Sequence, residues 1–157
     1  MRRKPGKLFI TRILTYYALE FSTGFALRYC QLVFGILVFI AFMTTGRFMR
    51  SDFPDKDAIE QEFRLLMRSR HIYILFSALI HLGLGIYLQI RPAVWQKAIQ
   101  ITGSAVLVIS SLLLISAFVV ETYSLHGFSD ISRFGIYTSL LGVGLHLFGG
   151  LCPRKVD

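Results

Sequence analysis

The chain has 157 residues, 54% of them hydrophobic and 17% charged, and its mean hydropathy is +0.59. The charged share falls below the roughly 25% of soluble domains, and a domain of this size has too little interior to hide so much apolar surface from water. A soluble enzyme and a disordered chain are excluded on these figures, and a disulfide scaffold is excluded by a count of two cysteines; an integral membrane protein is left.

In chain order, the first predicted element is an amphipathic helix over 8–28 lying in the membrane interface. Ile10, Ile13, Leu14, Tyr17, Phe21 and Phe25 recur at near-helical spacing, with Arg12 and Glu20 on another side. Its aromatic rings suit the headgroup region. The basic start Met1-Arg2-Arg3-Lys4 has the look of a signal peptide, but the longest charge-free run after it is Ile13 to Leu19, with no small-residue cleavage site beyond. A mitochondrial presequence is the alternative reading of the same arginines.

Four stretches free of Asp, Glu, Lys and Arg come next, at about 29–46, 71–90, 98–120 and 134–152. A hydrocarbon core about 30 Å thick needs roughly 20 helical residues, and lipid offers no partner to an open backbone group, so each stretch is predicted as a spanning helix. Between the first two, residues 51–70 read as a separate extracytoplasmic connector helix. Ser51 or Asp52 would cap it, Pro54 would sit in its first turn, and Ile59, Phe63 and Leu66 would form an apolar stripe on an otherwise solvated element. The expected fold class is an all-α membrane protein, a four-helix transmembrane bundle preceded by the interfacial helix, in one domain over 1–157.

Four spans put both termini on one side. That side carries ten of the lysines and arginines and the opposite side seven, so the positive-inside rule places the termini in the cytoplasm. The net charge of +8 is read as this topology signal and not as a nucleic-acid footprint. Cys30 and Cys152 then fall near the reducing face and are expected as free thiols.

Ionisable groups inside a bilayer are costly and mark functional candidates. Here they are His81 in the second span and His146 in the fourth. Ser77, His81 and Gly85 share one helical face, as do Gly135, Ser139, Gly142, His146 and Gly149 or Gly150. Small residues allow close helix approach, so both faces should point into the bundle, where Ser104, Ser110, Ser111 and Ser116 of the third span can bond across helices. Two histidines on parallel helices are also what a b-type haem needs as axial ligands. Haem b or a quinone held by His81 and His146 is therefore the alternative to a purely structural role. At the opposite face, Arg70, Glu121, Asp130 and Arg133 can form interfacial ion pairs that fix helix depth. The sharper option there is a zinc or copper site from His71, His126 and Glu121.

No CxxC, HExxH, Walker loop or GxSxG is present, so no soluble catalytic chemistry has residues to rest on. Ser69-Arg70…Ile72-Tyr73 and Ser132-Arg133…Ile136-Tyr137 hint at two duplicated hairpins. RHIYILFSALIHLGLGIYL, SLLLISAFVVE and GIYTSLLGVGLHLF resemble segments of small, uncharacterised four-span bacterial inner-membrane proteins. The resemblance covers roughly the last ninety residues; it implies a bacterial envelope setting and brings no activity or cofactor with it. The function expected is that of a non-enzymatic membrane accessory, scaffold or complex subunit, its partners the bilayer and other membrane subunits. A redox membrane protein comes second and a small transporter or channel third.

Overall fold

The computed structural model describes residues 6–53, 60–91, 93–121 and 130–151, with side chains from residue 24 onward. They form four helices: α1 (Gly6–Asp52), α2 (Gln61–Tyr87), α3 (Val94–Glu121) and α4 (Asp130–Leu151). All four are long and apolar enough to cross a membrane, α1 by its Gly24–Asp52 part. The chain is a four-helix bundle of the multi-pass membrane type.

Burial recurs every three to four residues, as the 3.6-residue period requires. On α4 the buried positions are Ser132, Gly135, Ser139, Gly142, His146 and Gly149, one seam of small residues broken by a single large ring. On α3 the seam includes Ser104, Leu107, Ser111, Leu114 and Phe118. The outward faces carry Ile36, Leu37, Ile40, Phe76, Leu79, Leu112, Leu140 and Leu147, each about half exposed. An exterior this apolar around an interior this polar makes sense only with lipid as the solvent.

The largest interfaces are α1–α2 and α3–α4. α2 and α3 join the two hairpins and each touches all three other helices, whereas α1 and α4 do not meet among the described residues. Glycines set how close the paired helices come. A Cβ on Gly85 would lie 2.8 Å from backbone atoms of Leu32. On the second hairpin a Cβ on Gly103 would lie 3.1 Å from both the Gly142 carbonyl oxygen and His146 Cδ2.

Three boundaries differ from the sequence expectation. The helix expected over 8–28 and the first span are one uninterrupted helix, because no proline lies between Gly6 and Asp52. At 47 residues it measures about 70 Å along its axis, more than twice the hydrocarbon core. The side chains of residues 6–23, which would form the interfacial face, lie outside those described.

The connector over 51–70 is not a separate helix. Ser51 and Asp52 close α1 rather than cap a new helix, and α2 begins at Gln61 behind an N-cap position held by Glu60. Pro54 and Ile59 lie outside the described residues. Phe63 and Leu66 are half-buried, and Met67 and Arg70 are 3% and 4% exposed. The stripe is therefore the first two turns of a span packed on the bundle, with Phe63 against Phe53 at 5.8 Å between ring centroids. Finally, α2 stops at Tyr87 instead of running to Ile90, since Leu88 is extended (φ −60°, ψ 121°). The linker behind it is tied to α3 through one side chain: Gln100 accepts the Arg91 N–H (3.1 Å) and donates to the Gln89 carbonyl (3.2 Å).

Candidate functional site

The candidate residues fall into three polar groups along the bundle. The middle one centres on His81, which is fully buried. Its Nδ1 meets Gln31 Oε1 of α1, and its Nε2 meets Ser111 Oγ of α3 at 2.8 Å. Ser77 Oγ joins Ser111 Oγ from the other side, and the Phe34 ring stands edge-on to the imidazole at 4.8 Å. Gln31 and the two serines are each no more than 3% exposed. One imidazole thus links α1, α2 and α3, and both of its nitrogens are occupied. In hydrocarbon an unmade bond of this kind has no water to fall back on. Replacing His81 by leucine should cost about 1–3 kcal/mol, because Gln31 loses its imidazole partner and Ser111 one of its bonds. Reversible unfolding in SDS-containing mixed micelles would measure it, and an unchanged midpoint would remove the linking role.

His146 is held differently. It is 9% exposed, and its Nε2 meets Ser104 Oγ of α3 at 3.1 Å. Nδ1 is buried and has no hydrogen-bond partner among the described residues. His81 and His146 are therefore fixed by separate partners, Ser111 and Ser104, two turns apart on one face of α3. Of the other span serines, Ser110 donates to the Gly135 carbonyl of α4 at 2.7 Å, while Ser116 turns back to Leu113 of its own helix. Ser139 and Gly142 are buried on the α4 seam.

The third group sits where α2 begins, α3 ends and α4 begins. Arg70 Nε lies 3.2 Å from Glu121 Oε2, with the two side chains 4% and 3% exposed. Arg70 Nη1 also donates to the Glu121 carbonyl oxygen at 2.6 Å. The Glu121 carboxylate accepts the Ser132 N–H (3.3 Å) and the Ser132 hydroxyl (2.6 Å). Helix ends explain the arrangement. The first amides of α4 are unsatisfied and lie at a positive dipole end, where a carboxylate is favoured; the last carbonyls of α3 lie at a negative end, where a guanidinium is. Glu121 thus caps α4 from α3, and Arg70 caps α3 from α2. Of the ion pairs expected from sequence, Arg70–Glu121 is present, and it is buried between helices. Asp130 and Arg133 are exposed on the first turn of α4.

Of the three metal candidates, His126 lies outside the described residues. His71 stacks on Phe42 at 4.1 Å, with Nδ1 3.0 Å from Thr45 Oγ1. Glu121 is engaged by Arg70 and Ser132. No group of three or more His, Cys, Asp or Glu side chains that could hold a metal occurs among the described residues. Cys30 is a free, exposed thiol, and Cys152 is outside the described residues.

Two arginines that count in the sequence only toward topology close helix ends. Arg28 Nη2 donates to the Ile86 carbonyl (2.6 Å) near the end of α2, and Arg91 Nη2 to the Gly150 carbonyl (2.8 Å) near the end of α4. They stand 63 positions apart in the chain, the spacing of the hinted duplication, and each comes from the segment that leads into the first helix of its hairpin or its first span. Comparison with known proteins finds no family model, no curated protein and no solved structure that matches this chain.

Proposed function

We propose that the chain is a non-enzymatic subunit or scaffold of a membrane assembly, seated in a bacterial inner membrane with both termini in the cytoplasm. One observation supports this above others: the polar groups of the interior are used in bonding helix to helix. Gln31, Ser77, His81 and Ser111 bond to one another, and Arg70, Glu121 and Ser132 do the same. Catalysis needs groups aimed at a reacting molecule in a pocket, and these are aimed at other helices. The partners consistent with the apolar exterior are the bilayer and other membrane subunits. The mitochondrial inner membrane is the alternative location.

The second reading is a redox protein, favoured by the unpartnered Nδ1 of His146. Haem b on His81 and His146 would have to replace either the Gln31 or the Ser111 bond of His81, whereas a quinone carbonyl could meet His146 without disturbing His81. A small transporter or channel comes third, since no Asp, Glu, Lys or Arg lies within the sequence-defined spans.

Purification at native expression in a mild detergent separates the readings. A stoichiometric co-eluting protein and a flat optical spectrum above the protein band are expected. A reduced-minus-oxidised Soret difference would overturn the subunit proposal in favour of the redox one. A reporter active only outside the cytoplasm, fused after Asp157, should stay dark; a bright fusion reverses the orientation.

A further inference from the structure

Not every buried polar atom bonds helix to helix: His146 Nδ1 has no partner among the described residues, and its residue lines a cavity. Between α2 and α4, over α3, lies a cavity of about 570 Å³ whose lining includes Leu79, Leu84, Leu107, Val143, Leu147 and His146. That volume is within the range of about 300–1,000 Å³ typical of ligand pockets. A second, almost wholly apolar cavity of about 310 Å³ continues along the same seam between Phe76 of α2 and Ile136 and Leu140 of α4. The two together run along α4 from Ile136 to Leu151, about 22 Å of helix. At the other end the first cavity opens among Gln89, Arg91 and Gln100.

The His146 ring turns its Cδ2–Nε2 edge to Gly103 and Ser104 of α3; the residue also lines the cavity, with Nδ1 buried and unpartnered among the described residues. The Ser104 hydroxyl has no other acceptor among the described residues, so it can donate to Nε2; Nδ1 then carries the proton and offers it. A buried N–H without an acceptor is rare enough to call for one. Arg91 is exposed, bonds to Gly150 one helical turn beyond His146, about 6 Å along the axis, and has no acidic partner among the described residues. A cation at the mouth, a donor one turn deeper and an apolar track beyond reproduce the order of phosphate, acyl carbonyl and hydrocarbon in a phospholipid.

We propose that the α2–α4 seam binds one anionic phospholipid, its phosphate on Arg91, an acyl carbonyl on His146 Nδ1, and its chain along Leu79, Val143 and Phe76. Basic positions at the cytoplasmic mouths of helix seams suit acidic headgroups, and with Ser104 donating to Nε2 the Nδ1–H supplies the polar contact an acyl carbonyl can accept.

The test uses the delipidated full-length protein in detergent, with lipid retention measured by native mass spectrometry. Dioleoylphosphatidylglycerol should bind saturably at one copy per chain, about fivefold tighter than dioleoylphosphatidylcholine, the gain of about one favourable basic contact. Arg91→Gln should abolish the difference between the two lipids. His146→Leu should weaken both while keeping their ratio, because the carbonyl is common to them. Arg28→Gln, which removes the arginine at the end of α2, should leave both affinities unchanged. Equal binding of the two lipids to the unaltered chain overturns the proposal, as does an Arg91→Gln protein that still discriminates. Should His146→Leu fail to fold, Arg91→Gln alone decides, since that side chain is exposed. Saturable binding of decylubiquinone that phosphatidylglycerol cannot displace assigns the seam to a quinone and overturns the lipid.

Discussion

Replacing Glu121 by leucine should destabilise the bundle by about 3–5 kcal/mol, the usual consequence of stranding one member of a buried ion pair. Arg70 would keep a charge at 4% exposure without its counter-ion. The first turn of α4 would also lose the acceptor for the Ser132 amide and hydroxyl. Replacing Arg70 by methionine should cost less, because the carboxylate keeps Ser132 and the positive end of α4. The double variant Arg70→Met, Glu121→Leu should recover much of the loss, as paired buried charges can often be exchanged for apolar groups at little cost. Unfolding in SDS mixed micelles gives all three values. A double variant as damaged as the two single losses added together would show that the side chains do not act as a pair.

The second large effect concerns the approach of α1 to α2. A methyl added at Gly85 would stand 2.8 Å from the backbone nitrogen and Cα of Leu32. Backbone cannot rotate out of the way as a side chain can, so α1 must move, and overpacking of this kind typically costs about 1–3 kcal/mol. Near neighbours would suffer with it, since the Gln31–His81 and Arg28–Ile86 bonds bridge the same two helices. Gly85→Ala should therefore lower the unfolding midpoint clearly. Gly83→Ala, two residues away with nothing within 4 Å of its new Cβ, should fall within about 0.5 kcal/mol of the unaltered protein. Equal losses at both positions would mean that helix flexibility, not contact distance, sets the effect.

The spans are legible in the sequence because charge is absent from them and lipid permits few alternatives. Their ends are not. Ser51, Asp52 and Pro54 have the chemistry of a helix start, yet the first two residues close α1; serine and aspartate suit the last residues before a turn as well as the first residues after one. The inward faces of His81 and His146 can be read from their small neighbours, because close packing leaves a recognisable composition. Gln31 and Gln100 stand outside any such pattern. The signal they offer is simpler: Gln31 is the only amide between Tyr29 and Gly46, and a lone amide in an apolar run needs a partner. The Arg70–Glu121 pair can be placed at a common level from sequence, but its burial depends on how three helix ends converge, which no local pattern encodes. Distances between helices, not the identity of the residues, separate an exposed anchor from a buried cap.

The lack of contact between α1 and α4 among the described residues has a bearing on the order of assembly. Each strong interface joins helices that are neighbours in the chain, so the first hairpin can be complete, with Gln31 in place and α2 closed by Arg28, before α3 has entered the bilayer. The second hairpin then docks onto a finished surface, and no late event must bring the first and last helices together. Short-range pairing of this sort keeps the entropy of closing loops small. The 88–93 linker is the natural place for a cut: a chain broken there keeps both of its main interfaces within the fragments, and the two pieces should find each other again in the membrane plane.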